Sequence, residues 1–180
     1  MTIYDITQPL FACAVYPGDP APTLTQTKNI AEHGCNLSEI ALCVHNGTHI
    51  DAPAHFLQGG AGVDRLPLDV FFGQCAVKAW DGTVPQDCER LLLKGDHILT
   101  AEDAQLIVQA GVKLIGVESQ SVGDPAAPME VHKILLDASV IPLEGLALRE
   151  VAEDEYLLSA LPLSLGADCD GSPVRAVLIK

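Results

Sequence analysis

Positive charge is scarce in this chain: ten Lys and Arg stand against 24 Asp and Glu, a net charge of −14 over 180 residues. No basic cluster appears anywhere along it. Nucleic-acid binding requires phosphate neutralisation, which such a surface cannot supply, and an anionic membrane is disfavoured for the same reason. Apolar residues make up 48%, yet they form no run long enough to imply a membrane span. No Lys or Arg precedes Lys28, which is not the pattern of a secretory leader. The six cysteines include no CxxC pair, and a chain of this length with a full apolar complement needs no disulfide staples. Reduced core thiols and a cytoplasmic setting are therefore expected. Aromatic residues amount to 4%, with Trp80 the sole tryptophan, so a flat ligand would find few stacking partners.

What is present suits one domain over residues 1–180, long enough to bury a real core. Segments 2–7, 37–45, 74–80, 90–94, 112–119, 139–145 and 175–180 read as strands, the second alternating around Ile40, Leu42 and Val44. "YPGDPAP" (16–22) is a turn-rich loop. "TAEDAQLIVQAG" reads as a helix capped by Thr100, with Asp103 at the third position, Leu106, Ile107 and Ala110 on one face, and Gly111 closing it. "PMEVHKILLDA" (128–138) is a second amphipathic helix. Strands outnumber helices in a mixed order, which predicts an α/β fold with a mixed, curved sheet flanked by a few helices and not a doubly wound one.

Histidine is distributed unevenly. "HNGTHIDAPAH", residues 45 to 55, holds His45, His49 and His55 together with Asp51, half of the six histidines in the chain. His45 and His49 are spaced as on one helix face, but Gly47 and Pro53 argue against a helix. In an extended backbone, positions 45, 49 and 51 share one parity and face one side, with Gly47 clearing space between them. Two imidazoles and a carboxylate are a usual transition-metal set that leaves positions for water or substrate. Burying four such groups without a cation would leave polar rings unpaired. His55 follows Pro53, which redirects the chain, so its ring can lie near the metal without joining it. Moving protons to a leaving group is one role open to it; a supporting or surface role is the other.

The run H-N-G-T-H-I-D-A-P-A-H strongly resembles the signature of the bacterial kynurenine formamidase or "putative cyclase" family, which also contains isatin hydrolases. The resemblance extends over nearly the whole chain. "YDITQPL", "VYPGDPAP", "GVDRLPLDVFFGQCAV", "GVKLIGVESQSVGDP…VHKILLDASVIPLEGLAL" and "DGSPVRAVLI" are similar to successive family segments. The resemblance implies a swivelling β/β/α-type fold, with His45, His49 and Asp51 as metal ligands and His55 as the catalytic acid/base. It also implies that His132, in "VHKILL", and Glu144, in "PLEGL", complete the ligand set. Without the family, His132 would read as an ordinary surface histidine and Glu144 as a loop acid. The cofactor so implied is a divalent metal, Zn2+ or Mn2+, as one ion or a carboxylate-bridged pair. The chain departs from the family at three points. Segment 93–104 is tighter than the usual loop, Tyr16 stands where formamidases often carry Trp, and Glu118 stands where the family usually has Asp. These departures bear on the substrate more than on the chemistry.

Three activities are compatible with these residues. The first is hydrolysis of a small amide, formamide or cyclic amide or ester through a metal-activated water, with His55 delivering the proton. The second is a cyclase or dehydratase using the ion as a Lewis acid. The third is a non-catalytic metal-binding domain. The partner is a small-molecule substrate. A homo-oligomer is also expected, from a mean hydropathy of +0.26, from the apolar stretch "LLSALPLSL" (157–165) and from the association of family members.

Overall fold

The chain was analysed as a computed structural model that describes residues 1–166 and 168–180, Pro128 by its backbone. In chain order its strands and helices are β1 (Ile3–Asp5), β2 (Thr23–Lys28), the helical turn α1 (Ile30–His33), β3 (Leu37–Ala41) and β4 (His49–Asp51). There follow β5 (Phe72–Ala79), β6 (Arg90–Lys94), α2 (Ala101–Gln109), β7 (Leu114–Val117) and α3 (Pro128–Asp137). The chain ends with β8 (Ile141–Glu144), β9 (Asp154–Ser159), β10 (Gly171–Pro173) and β11 (Val177–Ile179). Nine strands form one mixed sheet in the order β1-β11-β9-β5-β6-β7-β8-β4-β10.

The middle of that sheet, β5 to β8, is parallel. Helices α2 and α3 make the crossovers between its last three strands and pack against one another. Leu91, Leu93, Ile115 and Val117 point towards these helices and meet Ala104, Ile107, Val131 and Leu135. Leu92 and Leu114 point the other way into a second, larger core. Burial on both faces explains why "RLLLK" and "KLIGV" read as continuous apolar runs and not as alternations. Capping at Thr100 is as expected: its hydroxyl accepts from Asp103 N, and the Asp103 carboxylate accepts from Thr100 N.

The second core shows that the sheet curls. Leu178 of β11 and Ile50 of β4 belong to the same cluster, although six strand spacings separate them in the sheet order. In a flat sheet that separation would be roughly 29 Å. A bridge from Thr7 to Leu146 ties the end of β1 back beside β8. The mixed, curved α/β architecture is thus as the sequence predicts, with its concave side filled by this core.

Three local expectations fail. The strand expected over 37–45 ends at Ala41, and its apolar positions are not core: Ile40 is 57% exposed. β3 pairs only with β2, in a two-stranded hairpin in which every strand residue is exposed. Alternation reports a face able to be buried, and here the described residues put nothing over it. Leu106 is exposed on α2, whose buried face runs through Ala104 and Ile107. Among the cysteines, all six are free thiols, but only Cys75 is buried and Cys35 is exposed. No helix among the described residues is long and apolar enough to cross a membrane.

Candidate metal centre

The site forms where β4 lies between β8 and β10. His49 and Asp51 are two apart on β4 and share a face, and the β4–β8 register sets His49 opposite Glu144. On the other side Gly171 of β10 stands opposite Asp51. His132 comes from α3, which packs on β8. His55 ends a 3-10 turn, Pro53–His55, that follows β4. His45 is carried differently from the expectation: the extended backbone begins only at His49, and residues 44–48 form a turn. Two glycines make this convergence possible. A Cβ on Gly171 would lie 2.6 Å from His45 Cε1, and one on Gly145 would lie 2.4 Å from the Gly47 carbonyl oxygen. Gly145 also has φ of +68°, which side chains rarely adopt.

Inside this frame three imidazoles meet two carboxylates. His49 Nδ1 donates to Gly47 O at 2.9 Å, which fixes the tautomer and turns Nε2 inward, 3.3 Å from Glu144 Oε2 and 3.6 Å from Asp51 Oδ1. His132 Nε2 lies 3.1 Å from Glu144 Oε1 and 3.3 Å from Asp51 Oδ2. His45 Nδ1 lies 2.9 Å from Asp51 Oδ1. Val122 N donates to Glu144 Oε1 and holds that carboxylate in place. His49, Asp51, His132 and Glu144 are all buried. Ligand atoms converge in two sets, His49–Asp51–Glu144 and His45–Asp51–His55, with Asp51 common to both.

The electrostatics of the bare site are those of a cation-binding cluster. Burial works against charge on His45, yet the hydrogen bonds and charges of Asp51 and Asp170 push it up to about 9. Burial likewise opposes charge on His132, and Asp51 and Glu144 push it up to about 10. His49 is raised against the same burial by Glu144 and Asp51. Burial would raise Asp51, but the surrounding imidazoles hold its carboxyl well below the usual carboxylate range. Protons here stand where a cation would balance the buried carboxylates. Even so, Asp51 Oδ2 is buried without a hydrogen bond, because the facing His132 N–H is directed to Glu144. A buried carboxylate oxygen that has no hydrogen bond and faces His132 Nε2 at 3.3 Å fits a divalent ion, and the nitrogen and oxygen donors suit one.

His55 stands apart. Its ring stacks on His45 at 4.0 Å, and its Nδ1 lies 3.2 Å from Asp170 Oδ2. Burial and the positive charge of His45 lower its pKa, against the pull of Asp51 and Asp170, so the ring is neutral near pH 7. Asp170 Oδ2 also accepts from His45 Nε2 at 3.0 Å, so a single oxygen ties the two rings.

Asp170 was not singled out by sequence reasoning. It precedes a three-residue strand, Gly-Ser-Pro, that carries no strand signal, and only the pairing of β10 with β4 brings it here. Tyr16, noted in the sequence, lines a pocket of about 230 Å³ that Asp19, Phe56, Gln120 and Ser121 complete, and these four were missed because only the fold brings them here. Trp80 is elsewhere, donating to Asp103 Oδ1. Glu118 holds loops together, accepting from Gly95 N and Leu148 N.

Comparison with known proteins agrees with this geometry. The sequence profile of a family described as putative cyclase matches residues 4–105. A kynurenine formamidase from Salinibacter ruber is 34% identical over an alignment 208 positions long, covering 99% of this chain and 97% of that protein. Among solved structures, a predicted metal-dependent hydrolase from Bacillus stearothermophilus superposes with a TM-score of 0.82 at 28% identity, covering 98% of this chain and 97% of that one. Isatin hydrolase A from Labrenzia aggregata shares the fold at 20% identity, with a TM-score of 0.82 and coverage of 98% and 93%.

Proposed function

This chain belongs to the putative cyclase family and is a metal-dependent amide hydrolase, and from that premise we propose that it cleaves small formamides and cyclic amides in the pocket around Asp51. The observation that carries the proposal is Asp51, buried and without a hydrogen bond on Oδ2, at the meeting point of two ligand sets. The cofactor is a divalent metal. His45, His49, Asp51, His132 and Glu144 are the residues that would hold it, as Zn2+ or Mn2+, in one ion or in a pair that shares Asp51. When bound, such an ion acidifies water and polarises a carbonyl oxygen.

The chain's own residues do the rest. Hydrolysis breaks the C–N bond, adds the elements of water and requires a proton for the departing nitrogen. His55 is the group suited to relay it: neutral near pH 7 with Nδ1 held by Asp170, its Nε2 takes a proton from the attacking water and returns it to the departing nitrogen. The Gly47 carbonyl keeps His49 in the tautomer whose Nε2 faces the carboxylates. Phe56, its ring 4.5 Å from that of His132, covers one side of the pocket and limits water there.

The test is direct. Protein loaded with Zn2+ or Mn2+ is expected to release formate from formanilide and to open a cyclic amide to a product heavier by one water, and chelated protein to do neither. A metal-loaded protein inert towards both would overturn the proposal.

Residues 1–180 act as one domain in this reading. The expected homo-oligomer draws support from Leu161, Leu163 and Leu165, all more than 40% exposed, and light scattering that gives a 19.0 kDa particle would refute it. The six free thiols favour the cytoplasm.

A further inference from the structure

A second cavity, of about 200 Å³, adjoins the metal pocket and shares Tyr16, Gln120 and Ser121 with it. Its remaining walls are Val15, Pro17, Ile98, Ser119, Gly123 and Pro125, without a single charged side chain. Ile98 belongs to the short connection between β6 and α2, the segment in which this chain is tighter than the family pattern. An apolar cavity of about 150 Å³ can hold a benzene ring, so this one is large enough for a six-membered ring.

The wall between the two cavities carries unanswered polar atoms. Ser121 is 7% exposed, and its hydroxyl has no hydrogen-bond partner among the described residues. Gln120 Nε2 donates to Gln8 Oε1 at 3.4 Å, which leaves Gln120 Oε1 buried and unpartnered. Buried polar atoms are normally satisfied, and two orphans on the wall of one pocket mark groups that a ligand completes. An amide oxygen accepts, so its complement is an N–H. The one charged group of the metal pocket that is neither a proposed ligand nor His55 is Asp19, which repels a second anion.

We propose that Gln120 and Ser121, with the apolar cavity beyond them, form a subsite that selects secondary amides whose nitrogen substituent is compact, apolar and uncharged. In this arrangement Gln120 Oε1 accepts the amide N–H and the substituent enters the cavity beside Ile98. The assignment rests on the hydrolase reading for its substrate but not for its binding, so the two can be tested apart.

Phenylurea keeps the N–H and the ring but lacks the formyl group that is cleaved, and methylurea lacks the ring. Calorimetric titration of metal-loaded protein is expected to show phenylurea binding at least tenfold more tightly than methylurea, on the order expected for filling an apolar pocket. A ring carboxylate ortho to the urea should weaken binding. Gln120→Leu should lose roughly three- to tenfold for both ureas, as expected for one hydrogen bond. Ile98→Asp, a change at a half-exposed side chain, should erase the preference for phenylurea while metal content and melting temperature hold. The same titrations on chelated protein, with the same pattern, exclude binding through the metal. Equal affinity for the two ureas, or a preference untouched by Ile98→Asp and Gln120→Leu, would overturn the subsite. Intact binding without hydrolysis of either formanilide or the cyclic amide would instead overturn the hydrolase reading alone.

Discussion

Two places in this molecule set histidine against aspartate, and they differ in what is left over. At the start of α2, Asp103 accepts from Trp80 Nε1, from Thr100 N and from His97 Nε2, so both its oxygens are used. The cluster is partly open to solvent and complete within the fold. On β4, Asp51 is fully buried among three histidines, and one of its oxygens still has no hydrogen bond. The first arrangement is a helix cap with a tryptophan leaning on it. The second needs a cation, because burial removes the water that would otherwise answer the carboxylate. Residue type alone does not separate the two; burial and satisfaction do.

The largest expected effects fall on the buried cluster. Asp51→Ala and His49→Ala should abolish metal binding and with it hydrolysis, since Asp51 belongs to both ligand sets and His49 presents a fixed Nε2. His132→Ala or Glu144→Gln should weaken binding. Elemental analysis checks this, and full occupancy in both the His132 and the Glu144 variants would reduce the site to residues 45–51. Next in size is His55→Ala. It should keep the metal and lose about a hundredfold to ten-thousandfold in kcat, the usual range for general acid–base help. Metal and activity lost together would instead make His55 a ligand of the His45–Asp51 set.

How much of this could be read beforehand follows the same division. The 45–55 stretch was legible because its groups are close in sequence and interrupted by Gly and Pro, and because they resemble a known signature. His132 and Glu144 were legible only through that resemblance. Locally they look like a surface histidine and a loop acid, and what buries them is the packing of α3 on β8 and the pairing of β8 with β4. Asp170, Gln120 and Ser121 carried no signal, since their meaning lies in long-range pairing and in atoms left unpartnered. In the fold, the buried parallel strands and the capped helix were plain from composition. The β2–β3 hairpin was not, because "TLTQTK" is polar and the alternation of β3 promised a burial that its position does not provide.

A smaller effect separates the two clusters by pH. In metal-free protein His45 and His132 stand at about 9 and about 10, above the unfolded value near 6.5. Their contribution to stability is therefore fully present below about pH 6.5 and is lost as pH rises through those folded values. Metal binding requires the same nitrogens bare, so affinity rises over the same span. The gap in melting temperature between metal-loaded and chelated protein should widen from pH 6.5 to about pH 10, the pH range covered by these two titrations. A gap that does not change with pH would mean that the ligands are not those with the raised values.

The smallest effect belongs to the satisfied cluster, and it serves as the control. Asp103→Ala removes the reciprocal half of the capping box and strands Trp80 Nε1, a loss of about 1–3 kcal/mol. For a chain of this size each kcal/mol moves the melting temperature by roughly 2–4 °C, so a fall of several degrees is expected, with metal content and turnover unchanged. Burial would raise the Asp103 carboxyl, but hydrogen bonds from Thr100, Trp80 and His97 hold it below its ordinary 3.8. Its charge-dependent contribution is thus present above that value and disappears as pH falls through the folded one. The stability difference between wild type and Asp103→Ala should therefore be constant at neutral pH and shrink only in acid, the opposite direction from the metal-free imidazoles. A difference that stays constant through acid would show that the Asp103 charge is not what the fold uses, and a variant that loses metal would mean that the two clusters are one system.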